Sequence, residues 1–180
     1  VASTCAGLVA TPMLVLTLLL TPSGARSPQP LPPLLGGTWF PVHVVTTCVG
    51  YGGLLLAGSA GLLRLVAGRS AETPGIPAQL DRVAYGALVW GYPWLTCGML
   101  AGAIWSWESW GVVWSWNSKE VLTLVTWGLY TLCFHTRRLR GWQGRAHSGL
   151  LGLGLLALLL ALFLAQPLAR QVVPGVEYVF

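Results

Sequence analysis

Long apolar stretches, each close to twenty residues and nearly free of ionic side chains, set the first limit on this fold. A stretch of that length and composition matches the hydrocarbon core of a bilayer when it is helical. Five can be drawn, at about residues 5–20, 41–66, 83–104, 119–135 and 148–165. Only 8% of the side chains are charged, against about 25% in an ordinary soluble domain. Ten basic and five acidic groups cannot coat a water-soluble globule of 180 residues. The expectation is an all-α integral membrane protein: one membrane domain over residues 1–180, a bundle of about five transmembrane helices.

The connections carry the usual punctuation. Pro22, Pro28, Pro30, Pro32 and Pro33 mark the first as a loop, and Pro74 and Pro77 punctuate the second. Pro93 falls inside the third span and is expected to kink it, which membrane helices tolerate when neighbours satisfy the freed carbonyl. Residues 1–20 lack a basic leading region, so they read as a first span and not as a signal peptide. The tail from Gln166 to Phe180 is amphipathic.

Basic residues then orient the bundle. Arg64, Arg69, Arg82, Arg137, Arg138, Arg140 and Arg145 fall on one side, and Arg26, Lys119 and Arg170 on the other. The arginine-rich side faces the cytoplasm, stroma or matrix, and the opposite side faces the periplasm, lumen or intermembrane space. The net charge of +5 therefore belongs to the lipid interface, and no basic, aromatic-interleaved surface for nucleic acid is present in the sequence. Cys5, Cys48, Cys97 and Cys133 are far apart, which removes zinc ribbons, C-x-x-C redox pairs and covalent haem attachment.

One segment exceeds what membrane anchoring needs. Trp105, Trp107, Trp110, Trp114 and Trp116 occur within twelve residues, between the third and fourth spans. An interfacial belt is one explanation. The other is a ligand shelf: if Glu108–Trp116 is a surface helix, Trp107, Trp110 and Trp114 share a face, and Gly111 leaves room for close approach. A flat apolar ligand suits such a shelf, porphyrin first, with a quinone or lipid tail also fitting. On geometry alone the two explanations are about even. Asn117 and Glu120 have the spacing of a capping box opening the fourth helix, with Lys119 at the boundary.

The string W-G-V-V-W-S-W-N-S-K-E, Trp110–Glu120, resembles the tryptophan-rich "WWD" signature of the cytochrome c assembly family, closest to its CcsA (ResC) branch, where it typically reads W-G-x-Y-W-S-W-D-P-K-E. Flanking segments Leu80–Trp105 and Thr126–Gly144 are also similar, and His43–Gly58 resembles the family's histidine-led span, so the likeness covers about residues 40–165. The resemblance implies a protein that holds haem non-covalently at the outer membrane face and presents it to apocytochrome c, beside a CcsB/ResB-like partner subunit. It implies His43 as an axial ligand of the iron, His135 as a membrane-embedded histidine near the inner face, also an iron ligand, and Trp107, Trp110, Gly111, Trp114, Trp116, Asn117 and Lys119 as the haem cradle. Lys119, Arg26 or Arg170 would meet the propionates.

Some positions depart from the pattern. The family's aspartate is Asn117 and its proline is Ser118. Its second outer histidine has no counterpart in Gly175–Val176–Glu177–Tyr178, and the chain looks shorter than the family's usual members. Tyr178 is a weak substitute ligand. His147 is not a family position, yet it starts the fifth span near the depth of His135, and a shared iron is a minor alternative. No acid, base or nucleophile stands out, so any role in a haem lyase is one of positioning. The competing expectation is a divergent, non-catalytic member serving as a structural or accessory subunit of a larger respiratory or photosynthetic complex. For that role Gly50, Gly52, Gly53, Gly58 and Gly61 would supply close helix contacts.

Overall fold

A computed structural model of the chain describes residues 37–67 and 75–163. These residues belong to one compact unit. The expected first span at about 5–20, the tail from Gln166, and Arg26, Arg69, Arg170 and Tyr178 lie outside the described residues. The described residues form four helices and no strand: α1 (Trp39–Ala67), α2 (Ile76–Trp110), α3 (Ser118–Arg140) and α4 (Arg145–Phe163). Three of them, α1, α2 and α4, are long and apolar enough to cross a membrane.

Helix α3 has the length, at 23 residues or about 34 Å, but not the same apolar content. Its polar side chains are spent inside the bundle. Tyr130 is buried and donates to the Leu54 carbonyl at 2.9 Å. Thr131 pairs with the Tyr92 hydroxyl at 2.9 Å, Thr123 pairs with the Tyr51 hydroxyl at 3.3 Å, and the Trp127 indole N–H donates to Thr96 at 3.0 Å. A polar group met within the bundle does not carry the cost of facing lipid unpaired.

Helix α2 is longer than the expected 83–104. It runs 35 residues, about 52 Å, without interruption through Pro93. Pro77 sits in its first turn, where the missing N–H costs nothing. It stops at Gly111, whose backbone is left-handed (φ 70°) and whose N–H bonds the Trp107 carbonyl at 2.8 Å. Helix α3 ends similarly at Gly141 (φ 62°), with Arg137, Arg138 and Arg140 against the negative end of its dipole.

Helix α1 lies between α2 on one side and α4 on the other, and α3 packs chiefly on α4. The α1–α2 contact is an antiparallel seam of small residues. A Cβ on Gly53 would fall 2.7 Å from the Gly91 Cα, and one on Gly50 2.5 Å from the Leu95 nitrogen. One rung further, a Cβ on Gly98 would meet Thr47 Oγ1 at 2.5 Å, and then one on Gly102 would meet His43 Nδ1 at 2.6 Å. The backbones are in direct contact, as small residues permit. Gly58 and Gly61 use the other face of α1 against Leu155 and Leu151, while Gly52 meets nothing. Four of the five glycines expected at helix contacts are therefore in them.

Replacing Gly53 by valine puts two methyl groups against the Gly91 backbone. A loss of at least about 1–3 kcal/mol is expected from overpacking, whereas Gly52→Val, on the open side, leaves the midpoint of thermal unfolding in detergent nearly unchanged.

Candidate functional site

The end of the bundle that carries the α2–α3 connection concentrates the aromatic residues. The connection is shorter than expected. Residues 105–110 are the last turns of α2, so only 111–117 is irregular, and no surface helix forms over Glu108–Trp116. Gly111 is the reason: its left-handed backbone ends α2 before a single face can carry Trp107, Trp110 and Trp114. Trp107 and Trp110 project from the final turns of α2, 58% and 42% exposed. Trp114 is partly buried and meets Trp116 edge-on, with ring centroids 6.0 Å apart.

Trp116 is 71% exposed and has φ 57°, the one non-glycine residue with positive φ among the described residues. That conformation costs a bulky L-residue on the order of 1–2 kcal/mol. The surroundings hold it. Glu120 accepts the Ser115 N–H at 2.8 Å with one carboxylate oxygen and the Ser115 hydroxyl at 3.0 Å with the other. Asn117 accepts the Glu120 N–H at 2.9 Å and donates to Ser115 Oγ at 2.9 Å. The N-cap expected at Asn117 is present. The reciprocal half differs, because Glu120 reaches past Asn117 to Ser115 and so straps the loop across Trp116. Lys119 is exposed beside this strap.

His43 stands at the last rung of the α1–α2 seam. Its Nδ1 lies 2.8 Å from the Gly98 carbonyl oxygen. A carbonyl only accepts, so Nδ1 carries a proton, and Nε2 is the nitrogen with a lone pair in the neutral ring. The ring is stacked on Trp105 at 6.0 Å and 12°, and Trp105 in turn contacts Phe40 at 5.3 Å and Trp110 edge-on at 4.8 Å. An imidazole fixed through one nitrogen, with the other left basic, is the arrangement of a metal-ligating histidine. The residues present therefore fit an iron porphyrin: an oriented imidazole beside exposed indoles.

His135 is elsewhere. It is exposed near the C-terminal end of α3, about 26 Å along that helix from Ser118. Its Nδ1 donates to the Thr131 carbonyl at 2.9 Å, so Nε2 is the accepting nitrogen of the neutral ring. His43 and His135 thus mark opposite ends and do not share one iron. His147 is fully buried, within electrostatic reach of Arg137 and Asp81, while His135 lies on an exposed face. No group of three or more metal-binding side chains occurs among the described residues.

Sequence reasoning missed Gly98, Gly102 and Phe40, which seat His43 and Trp105, and the Ser115–Glu120 strap. The G-M-L-A-G spacing of Gly98 and Gly102 was the available signal, a small-x-x-x-small pair facing another helix.

The fold and this site define an all-α membrane protein with a histidine-bearing aromatic end. Residues 2–172 match the family described as Cytochrome C assembly protein, and the chain belongs to that family. It is 30% identical over 140 residues to the cytochrome c biogenesis protein CcsA of Chlamydomonas reinhardtii, covering 75% of this chain and 40% of that protein. It is 30% identical over 167 residues to CcsA of Synechococcus sp. (strain CC9902), covering 76% and 55%. Over 76 residues it is 41% identical to CcsA of Marchantia polymorpha, covering 42% and 24%. The chain spans about half the length, or less, of these relatives.

Glu120→Ala removes both acceptors from Ser115. Hydrogen exchange at the amides of residues 111–117 is expected to quicken at least about tenfold, corresponding to about 1.4 kcal/mol of lost protection, while amides in the middle of α2 stay protected.

Proposed function

We propose that this chain holds haem at the outer face of a membrane and presents it to apocytochrome c during cytochrome c maturation. The observation that carries the proposal is the seating of His43, with Nδ1 committed to the Gly98 carbonyl and the ring stacked on Trp105 at the Trp-rich end. His43 would ligate the iron through Nε2. Trp107, Trp110, Trp114 and Trp116 would cradle the macrocycle, with Gly111 giving clearance, and Lys119 would meet a propionate. Asn117 contributes through the loop it caps, since its amide is occupied by Glu120 and Ser115.

Orientation supports the same reading. Arg64, Arg137, Arg138, Arg140 and Arg145 gather where α1 and α3 end and α4 begins, away from His43. The positive-inside rule puts that end in the cytoplasm, stroma or matrix, and the tryptophans in the periplasm or lumen. His135, at the arginine-rich end, would serve as a second iron ligand used at a different stage of haem passage. A CcsB/ResB-like subunit would provide the further outer-face ligand. The named relatives are cytochrome c biogenesis proteins, which fits the proposal.

The chemistry asked of the protein is positioning. Haem supplies the vinyl groups that accept the thiols of a client C-x-x-C-H segment. This chain's residues fix the ring plane, exclude water from one face, and bring two reactants to one place, an effect that accounts for several kcal/mol of a barrier.

The protein purified in detergent is expected to carry a Soret band that His43→Ala reduces at least about fivefold, while the variant still elutes as folded, monodisperse protein. Absence of the band in the parent protein, with co-purification in a larger respiratory or photosynthetic complex, would replace haem delivery by the accessory role. A second prediction separates strain from binding. Trp116→Gly relieves the left-handed backbone and raises fold stability by roughly 1 kcal/mol, yet it speeds haem transfer to apomyoglobin, because an indole of the cradle is gone.

A further inference from the structure

Opposite the tryptophans, one acidic side chain joins three helices. Asp81 of α2 is buried and lies 2.6 Å from Arg137 Nη2 of α3 and 3.7 Å from Arg64 Nε of α1. Arg137 is otherwise well placed, with Nη1 donating to the Trp142 carbonyl and its guanidinium over the Tyr85 ring at 5.0 Å. Arg64 is not. Its contact with Asp81 is too long for a hydrogen bond, and both facing atoms, Arg64 Nε and Asp81 Oδ1, are buried with no partner among the described residues.

The fourth helix adds to the deficit. The guanidinium of Arg64 lies against Gly144, with Nη2 3.4 Å from where a Cβ would be, and the Ser148 carbonyl lies 3.4 Å from the same point on Gly61. The first turn of α4 is thus pressed onto the last turns of α1, and His147 lies in that turn. Its ring is fully buried, within electrostatic reach of Asp81 and Arg137, and neither nitrogen has a partner. Four of the five buried side-chain atoms without a hydrogen-bond partner among the described residues belong to this one cluster. Each such group costs about 1–3 kcal/mol if left unmet.

We propose that an ordered water molecule binds between Arg64 Nε, Asp81 Oδ1 and the His147 ring. The donor and acceptor inventory selects the ligand. Arg64 Nε–H and the one N–H of a neutral imidazole need acceptors; Asp81 Oδ1 and the second imidazole nitrogen need donors. One water accepts from Arg64 Nε–H, donates to Asp81 Oδ1 and meets one nitrogen of the His147 ring; the two ring nitrogens point apart, so the other is met elsewhere. An anion offers acceptors only and leaves Asp81 and the imidazole lone pair unmet. A metal cation is opposed by two guanidiniums against one carboxylate. At 3.7 Å the two atoms are beyond direct hydrogen-bond distance, and a water lying to the side of the line between them reaches both. The site is a hydrated joint through which α4 is tied to the other three helices.

The test is a structure of the full chain in lipid nanodiscs at a resolution that shows ordered water, together with the variants His147→Leu and His147→Gln. Density within hydrogen-bond distance of Arg64 Nε and Asp81 Oδ1 is expected. His147→Leu is expected to lower the midpoint of thermal unfolding by several degrees, and His147→Gln to recover part of it, since an amide again offers donor and acceptor. In a dry site, removing two unmet nitrogens costs nothing. An unchanged or raised midpoint in His147→Leu therefore overturns the proposal, as does a site that is empty or filled by a protein side chain. None of these readouts depends on haem.

Discussion

Contact between the backbones of α1 and α2 is the constraint from which the rest follows. The rungs Gly53–Gly91, Gly50–Leu95, Thr47–Gly98 and His43–Gly102 form one antiparallel line, each rung about one turn from the next. Lipid offers no hydrophobic drive for helices to associate, so shape and close packing must supply it. Once the first rungs are closed, the position of the last is determined. The imidazole of His43 enters the space that Gly102 leaves, and the Gly98 carbonyl is then within reach of Nδ1. Fold and site are therefore one interaction at two points along its length.

The two ends of the bundle solve different problems. At the tryptophan end, polar groups hold a strained loop while aromatic faces stay open. Glu120, Asn117 and Ser115 satisfy one another, so the strain at Trp116 is balanced locally. At the arginine end, Asp81 links α1, α2 and α3 through charge, in a region where side-chain exposure is only 12–17%. Truncating one member of such a buried set is costly because it strands the others. One end leaves aromatic faces exposed and the other keeps helices together.

Much of this was legible in the residues. Apolar runs gave α1 and α4 to within three positions and the middle of α2, and the Asn117 cap gave the start of α3. Two things were not legible. The first is where α2 ends, because Trp105 to Trp110 reads equally as a surface segment or as a continued span, and only the left-handed Gly111 decides it. The second is pairing between helices. His43 was visible as a histidine at a span boundary, but its partner Gly98 is 55 residues away, and no local pattern connects them. The same holds for Asp81, which lies just before the expected span 83–104 and is the buried junction of three helices.

The length of α2 has a mechanical corollary. A rod of about 52 Å cannot fit upright within a hydrocarbon slab of about 30 Å. Either it leans, or its extremities stand clear of the acyl chains by something like 10 Å each. Standing clear lifts the indole of Trp110 to the water side of the headgroup layer, with Trp107 about one turn lower among the headgroups, so that a passing soluble polypeptide can touch the tip without entering the lipid.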